Sequence, residues 1–165
     1  MNKKAGVPDG LFYMVAIFAT AIISIVGFLI FDELNNEFQS SSSITTQGKE
    51  LMGQLHGKYV AIIDSAFLMI FVGILIGTIA GVWFIKTHPA LFWIMIPIFA
   101  FIVFYAAIYA NVFYNFTNSP KIIASASQFT IIPFIMNNYA FVMVGVVVLI
   151  AIALFAKGKS QQELI

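Results

Sequence analysis

The chain has 165 residues, of which 61% are hydrophobic and only 9% are charged, whereas about a quarter of the residues in a soluble domain are charged. This composition excludes an ordinary soluble domain, and the formal net charge of +1 excludes a nucleic-acid binder that must neutralise many phosphates. The chain has no cysteine, which excludes disulfides, zinc–thiolate sites and thiol nucleophiles.

Four apolar segments are long enough to cross a bilayer, which requires roughly 20 apolar residues in a helix. They are predicted at residues 11–31, 60–85, 90–111 and 139–156. The first is predicted to be retained rather than cleaved, because its apolar run is about twice as long as that of a signal peptide. The predicted fold is all-α, a single membrane domain over residues 1–165 that forms a four-helix bundle.

The lysines are distributed unevenly between the two sides of this bundle. Five lie on the side that holds both termini and the tight turn at 86–89, and three lie on the other side. The five are Lys3, Lys4, Lys86, Lys157 and Lys159. Since positive charge is enriched on the cytoplasmic side of membrane proteins, both termini are predicted to be cytoplasmic. The predicted location is a cell membrane or the internal membrane of a virion.

The first long connection, residues 32–59, is predicted to be a polar loop whose serine-rich middle forms a flexible hinge. Its flanks are predicted to be helical, because 32–38 continues the first span and Thr46 can cap a helix that leads into the second. Leu51, Leu55 and Ile62 would then share one face of that helix.

The second long connection, residues 112–138, is predicted to contain a short interfacial helix. Ser119 can cap this helix and Pro120 can occupy its first position. Pro133 is predicted to bend or interrupt the approach to the last span.

Gly73, Gly77 and Gly81 recur every four residues along the second span. Small residues at this spacing allow two helices in lipid to approach closely, so the three glycines are predicted to form a helix-packing stripe. Two partners remain open for this stripe: the first or third span of the same chain, or a second copy of the chain.

Asp64 is the only ionisable residue inside a predicted span. A carboxylate in hydrocarbon is costly and needs a partner or water. Asp64 is either solvated near the membrane surface, hydrogen-bonded to Ser65 or Asn137, or part of an ion or proton pathway. The candidate intramembrane polar site comprises Asp64, Asn137 and Asn138.

The chain shows no catalytic motif. His56 and His88 are predicted on opposite sides of the membrane, so they cannot share a metal ion. The spans also lack an acid, base and nucleophile at matching depth. We therefore predict no catalytic residue, no metal site and no cofactor, and we expect that the protein is not an enzyme.

Three segments, in order along the chain, carry a resemblance. They are 31–38 (FDELNNEF), 87–92 (THPALF) and 127–138 (SQFTIIPFIMNN). Together they resemble small multispanning membrane proteins of tailless, membrane-containing viruses of bacteria and archaea and of related mobile elements. The resemblance covers most of the chain and implies an integral protein of an internal viral membrane, which contacts capsid or vertex proteins through its outer loops. It implies no catalytic residue.

The expected function is therefore a non-enzymatic structural or scaffold role, in a viral membrane or as a small subunit of a larger membrane complex. The expected partners are the lipid bilayer and other membrane or capsid-type proteins, or a second copy through the glycine stripe; nucleic acid is not expected. The alternative is a pore-forming or ion-conducting homo-oligomer similar to a holin. It is motivated by the small size, the glycine stripe, Asp64 and the lysine-bearing termini.

Overall fold

The computed structural model describes residues 7–84 and 89–162, with side-chain detail for 12–81 and 95–155. The described residues form helices and no strand, so the all-α prediction is confirmed. The helices are α1 (Val7–Ser40), α2 (Thr46–Phe84), α3 (Pro89–Thr117), α4 (Ile123–Ala126), α5 (Ile131–Asn137) and α6 (Tyr139–Gln162). Most of the predicted turn at 86–89, including His88, lies outside the described residues.

Three helices, α1, α2 and α3, contain stretches that are long and apolar enough to cross a membrane. Helix α5 and residues Tyr139–Phe155 of α6 meet the same criterion as a pair, and their axes are bent by 72° at the junction. The described part of the chain therefore has three candidate spans, or four if α5 and α6 together make one. This agrees with a multi-pass membrane protein.

The first long connection is more ordered than its composition indicates. Helix α1 continues to Ser40 and α2 begins at Thr46, so the predicted loop at 32–59 is mostly helix and only 41–45 connects the two helices. Gln39 and Lys49 join the helix ends: the Gln39 side-chain amide donates to the Lys49 carbonyl oxygen at 2.8 Å, and the Lys49 ammonium donates to the Gln39 carbonyl oxygen at 2.7 Å. We call the helical hairpin at 32–58 the stalk.

The four long helices and α5 share one core. Helix α1 contacts α2 and α3, α6 also contacts α2 and α3, and α5 contacts all four long helices. The largest fully buried side chains are Tyr139, Phe113, Met14, Ile25, Ile132 and Met136. Three of these six belong to α5 or to the first position of α6, so the short α5 is an integral part of the core.

The bend before the last helix is not at Pro133. Pro133 is the third residue of α5, where proline is tolerated because N–H groups in the first turn have no partner within the helix. The 72° bend falls instead at Asn138, the residue between α5 and α6. The predicted single interfacial helix is in fact two short helices, and α4 begins after Ile122 with no side-chain cap, so the predicted Ser119 cap is wrong.

Candidate functional site

Asp64 lies on α2, is only 6% exposed, and binds the beginning of α5. Its Oδ2 atom accepts hydrogen bonds from the backbone N–H groups of Thr130 and Ile131, each at 2.8 Å. Its Oδ1 atom accepts a third from the N–H of Ile132 at 2.9 Å. Both carboxylate oxygens are therefore used, and the charge is compensated by three donors from a distant part of the chain.

This contact caps a helix from outside. The first N–H groups of a helix have no partner within it, and the helix dipole favours negative charge at that end. Thr130, the N-cap residue of α5, makes no capping hydrogen bond with its own side chain. The Asp64 carboxylate takes this role through hydrogen bonds to an ionised acceptor, which are stronger than neutral ones. The arrangement holds α5 against α2 and engages both carboxylate oxygens in hydrogen bonds.

The predicted partners of Asp64 are wrong. The Ser65 hydroxyl donates to the carbonyl oxygen of Ala61, one turn earlier on its own helix, at 2.7 Å. Asn137 and Asn138 lie at the other end of α5 from the Asp64 contact, and both are exposed. The Asn138 amide donates to the Phe134 carbonyl oxygen at 2.8 Å. The structure thus does not bring the predicted polar site, Asp64 with Asn137 and Asn138, together.

A cluster of rings lies at the base of the stalk. The His56 ring stacks on Phe28 with 5.3 Å between ring centroids, and Phe31 stacks on Tyr59 at 5.1 Å. Phe129, which precedes α5, meets Phe28 edge-on at 5.7 Å. We call these five residues the aromatic cluster. It joins the stalk to the α4–α5 segment, next to the segment that Asp64 holds.

His56 also contacts Asp32, with 2.8 Å between Nε2 and Oδ1. An Nε2 atom facing a carboxylate must carry a hydrogen, so the neutral tautomer protonated on Nε2 or the imidazolium satisfies this contact. The sequence does not reveal this pair, because Asp32 and His56 are 24 positions apart and meet only when α1 and α2 fold into the helical hairpin.

Comparisons with family models, with curated proteins and with solved structures each found no match. The site must therefore be interpreted from its own chemistry. Where the structure describes the side chains, no group of three or more histidine, cysteine, aspartate or glutamate residues could hold a metal ion. The buried Tyr139 hydroxyl has no hydrogen-bond partner within the same described region.

The predicted glycine stripe does not pack inside the chain. A Cβ atom added at Gly73, Gly77 or Gly81 would meet no heavy atom within 4 Å. The physical reason is that Phe67 and Phe71 on α2 pack into the core. Because each residue advances 100° around the helix, Gly73 lies about 200° from Phe71, on nearly the opposite side of α2. Packing of this stripe against the first or third span is therefore wrong for the described chain.

Alanine at Gly73 and Gly77 is a direct check of this open face. We expect the double variant Gly73→Ala, Gly77→Ala to be no less stable than the parent chain and to gain up to about 1 kcal/mol per substitution, because no atom opposes the added Cβ and alanine has the higher helix propensity. Thermal unfolding of the monomer in detergent measures the effect. A loss of several degrees in the midpoint would mean that another helix of this chain does approach the glycines.

Proposed function

We propose that the chain is a non-enzymatic integral membrane protein with a structural or scaffold role, in a viral membrane or as a small subunit of a larger membrane complex. Both termini would face the cytoplasm, because lysines concentrate at that end of the sequence-predicted topology. The stalk would then project from the opposite face of the membrane.

The stalk is the observation that carries this proposal. From Asp64, where α2 holds α5, the helix runs about 27 Å to Thr46 at 1.5 Å per residue. Charged residues such as Glu33 and Glu50 mark this hairpin as water-facing, yet Leu34, Phe38, Leu51 and Leu55 are also exposed there. Exposed apolar side chains that form a patch in water mark a site of association. A rigid hairpin that presents such side chains beyond a membrane is suited to hold other proteins.

The proposal is tested by extracting the full chain from its natural membrane or particle in mild detergent. We expect a native mass well above that of one chain, together with fixed stoichiometric amounts of the chain and any associated protein. Recovery of the chain as a monomer, free of any partner, would contradict the scaffold role. Substrate turnover or saturable transport by the isolated chain would contradict the non-enzymatic assignment.

Shortening the stalk should abolish association while sparing the fold. Deleting 34–40 and 48–54 together removes seven residues from each helix, so the remaining residues keep their pairing and the stalk shortens by about 10 Å. We expect recovery of the associated complex to fall at least tenfold, whereas the thermal unfolding midpoint falls only slightly, because the exposed Gln39–Lys49 hydrogen bonds are lost and the buried core is untouched. The control variant Ser42→Ala, Ser43→Ala changes only the exposed tip and should associate normally. Full recovery with the shortened stalk would place the association surface elsewhere.

A pore-forming homo-oligomer is the second candidate, and the exposed glycine stripe favours it. The core of one chain is filled by large side chains such as Phe113 and Tyr139, so conduction would require several copies packed around a shared path. Gly73, Gly77 and Gly81 offer an open face for such packing. Ion flux through vesicles that contain only the purified chain tests this candidate, and flux no greater than in protein-free vesicles would exclude it.

A further inference from the structure

Two apolar stripes run along the outward faces of α1 and α2. On α2 one set of exposed positions is spaced by four, three or seven residues, a period of 3.5 that is typical of helix–helix seams. They are Leu51, Leu55, Lys58, Ile62, Met69 and Ile76, and the apolar ones are 54% to 75% exposed. Leu68, Ile70 and Val72 are also exposed and lie beside this set. On α1 the stripe comprises five of the exposed apolar side chains, which are 40% to 68% exposed: Phe12, Ile23, Ile30, Leu34 and Phe38. Tyr13 and Val15 are also exposed but lie outside it.

These stripes face away from the contact between α1 and α2. On α1, Asp32 points at α2, and Ile30 lies about 200° around the helix from it. On α2, His56 points at α1, and Ile62 lies about 120° around the helix from His56. The hairpin therefore presents one apolar stripe on each side, and both stripes continue from the apolar spans into the charged stalk.

The hairpin contacts also fix the relative positions of charged residues along the membrane normal, which we call their heights. The Asp32–His56 and Gln39–Lys49 pairs follow the same residue-by-residue alignment of the two antiparallel helices. In that alignment Ile30 lies at the same distance from the membrane as Lys58. Glu33 follows Ile30 by three residues on α1, so it lies about 4.5 Å closer to the tip of the stalk than Lys58 does. Glu33 and Lys58 are both exposed, and within the described side chains neither forms an ion pair.

The charges of Glu33 and Lys58 distinguish between three possible pairings of copies: α1 with α1, α2 with α2, and α1 with α2. Copies inserted in one bilayer share the same orientation, so rotation about the membrane normal preserves every height. Pairing α2 with α2 would set Lys58 against the Lys58 of a second copy, and pairing α1 with α1 would set Glu33 against Glu33. Pairing α1 with α2 sets Glu33 against Lys58 and leaves the apolar stripes, including Leu34 and Leu55, opposite each other. Like charges at contact disfavour the first two arrangements.

We propose that copies of this chain associate head to tail, the outward stripe of α1 on one copy against the outward stripe of α2 on the next, with Glu33 and Lys58 paired between copies. A head-to-tail interface builds a ring if the rotation closes and an open array if it does not. The assembly deepens the scaffold role proposed above and rests on that role for its purpose. Lipid covers the membrane part of each stripe in a single chain, whereas Leu51 and Leu55 in the stalk need a protein partner, and the charge pairing assigns that place to a second copy.

Cysteine cross-linking tests the contact directly, because the chain has no cysteine of its own. Full-length chains carrying Leu34→Cys or Leu55→Cys are reconstituted into phosphatidylcholine vesicles, separately and as a mixture, and oxidised. Disulfides form only when the Cα atoms approach within about 7 Å. We expect cross-linked dimers in the mixture, at least fivefold more than in either separate sample. A chain with Phe141→Cys on exposed α6 is the control and should not cross-link to either variant.

Charge reversal provides the second readout. Glu33→Lys or Lys58→Glu alone should lower cross-linking about fivefold, and a chain carrying both reversals should regain the parent level. Unchanged cross-linking after single reversal, no recovery in the double variant, or strong cross-linking by Leu55→Cys alone would overturn the proposal. Loss of cross-linking on adding anionic lipid would also overturn it, because Lys58 would then bind a lipid headgroup instead.

These outcomes separate the inference from the scaffold role. If cross-linking fails while the native complex contains other proteins in fixed amounts, head-to-tail association is contradicted and the scaffold role is supported. If cross-linking succeeds while the chain extracted from its natural membrane is a monomer without partners, the scaffold role is contradicted. The contact is then a property of the concentrated, reconstituted chain only.

Discussion

Replacing Asp64 by alanine is expected to lower the free energy of unfolding by about 3–5 kcal/mol, because three backbone N–H groups lose their acceptor and each buried, unpaired donor costs about 1–3 kcal/mol. The same change releases the beginning of α5 from α2. Denaturant or thermal unfolding in detergent measures the stability. Protease cleavage within 118–130 measures the release of the segment and should become faster.

Two further variants sharpen this test. Asp64→Asn keeps one acceptor oxygen but directs an NH₂ group toward N–H donors, so we expect an effect between that of alanine and that of the parent chain. Ser65→Ala is the matched control, because the Ser65 hydroxyl is exposed and bonds only to its own helix. An Asp64→Ala chain that is as stable and as protease-resistant as Ser65→Ala would show that the carboxylate does not hold α5.

Gly27→Ala is expected to destabilise the chain by about 1–2 kcal/mol, in the lower part of the range for overpacking, because Gly27 and Tyr59 are only half-buried. A Cβ atom at Gly27 would lie 2.8 Å from the Tyr59 hydroxyl oxygen, which is too close for a contact between carbon and oxygen. The Tyr59 ring is stacked on Phe31, so it cannot move aside without disturbing the aromatic cluster. Thermal unfolding in detergent measures the loss.

Removing the clashing oxygen should rescue this variant. We expect the double variant Gly27→Ala, Tyr59→Phe to recover most of the stability relative to Tyr59→Phe alone, because only the hydroxyl limits the space. Gly145→Ala is the control, since a Cβ atom there meets nothing within 4 Å. Equal effects at Gly27 and Gly145, or no rescue by Tyr59→Phe, would contradict the tight contact.

Part of the fold follows directly from the sequence. Long runs of apolar residues predict helices that can cross a membrane, because lipid requires backbone groups to pair within each segment. The importance of Asp64 was also predictable, since a carboxylate in an apolar span needs a partner. Its actual partners were not predictable, because they are backbone N–H groups 66 to 68 residues away. Every residue other than proline has such a group, so residue type does not identify the donor.

Other features depend on tertiary contacts that composition does not encode. The polar residues at 32–59 are typical of a loop, yet they form a helical hairpin because α1 and α2 support each other through pairs such as Gln39 with Lys49. The glycine stripe permits close approach without requiring it, and α2 turns its phenylalanines to the core instead. Gly27, by contrast, shows no pattern in the sequence, although its lack of a side chain makes room for Tyr59.

The Asp64 contact also sets an order of events during synthesis. The carboxylate is made with α2, but its donors follow 66 residues later, which takes about 3–13 s at ribosomal rates of 5–20 residues per second. During that interval the nascent chain carries an unmatched acidic group at the edge of an apolar helix. The contact between α2 and α5 can therefore form only after Thr130 to Ile132 have been made, and a chain that stalls earlier keeps the Asp64 carboxylate without its three backbone donors.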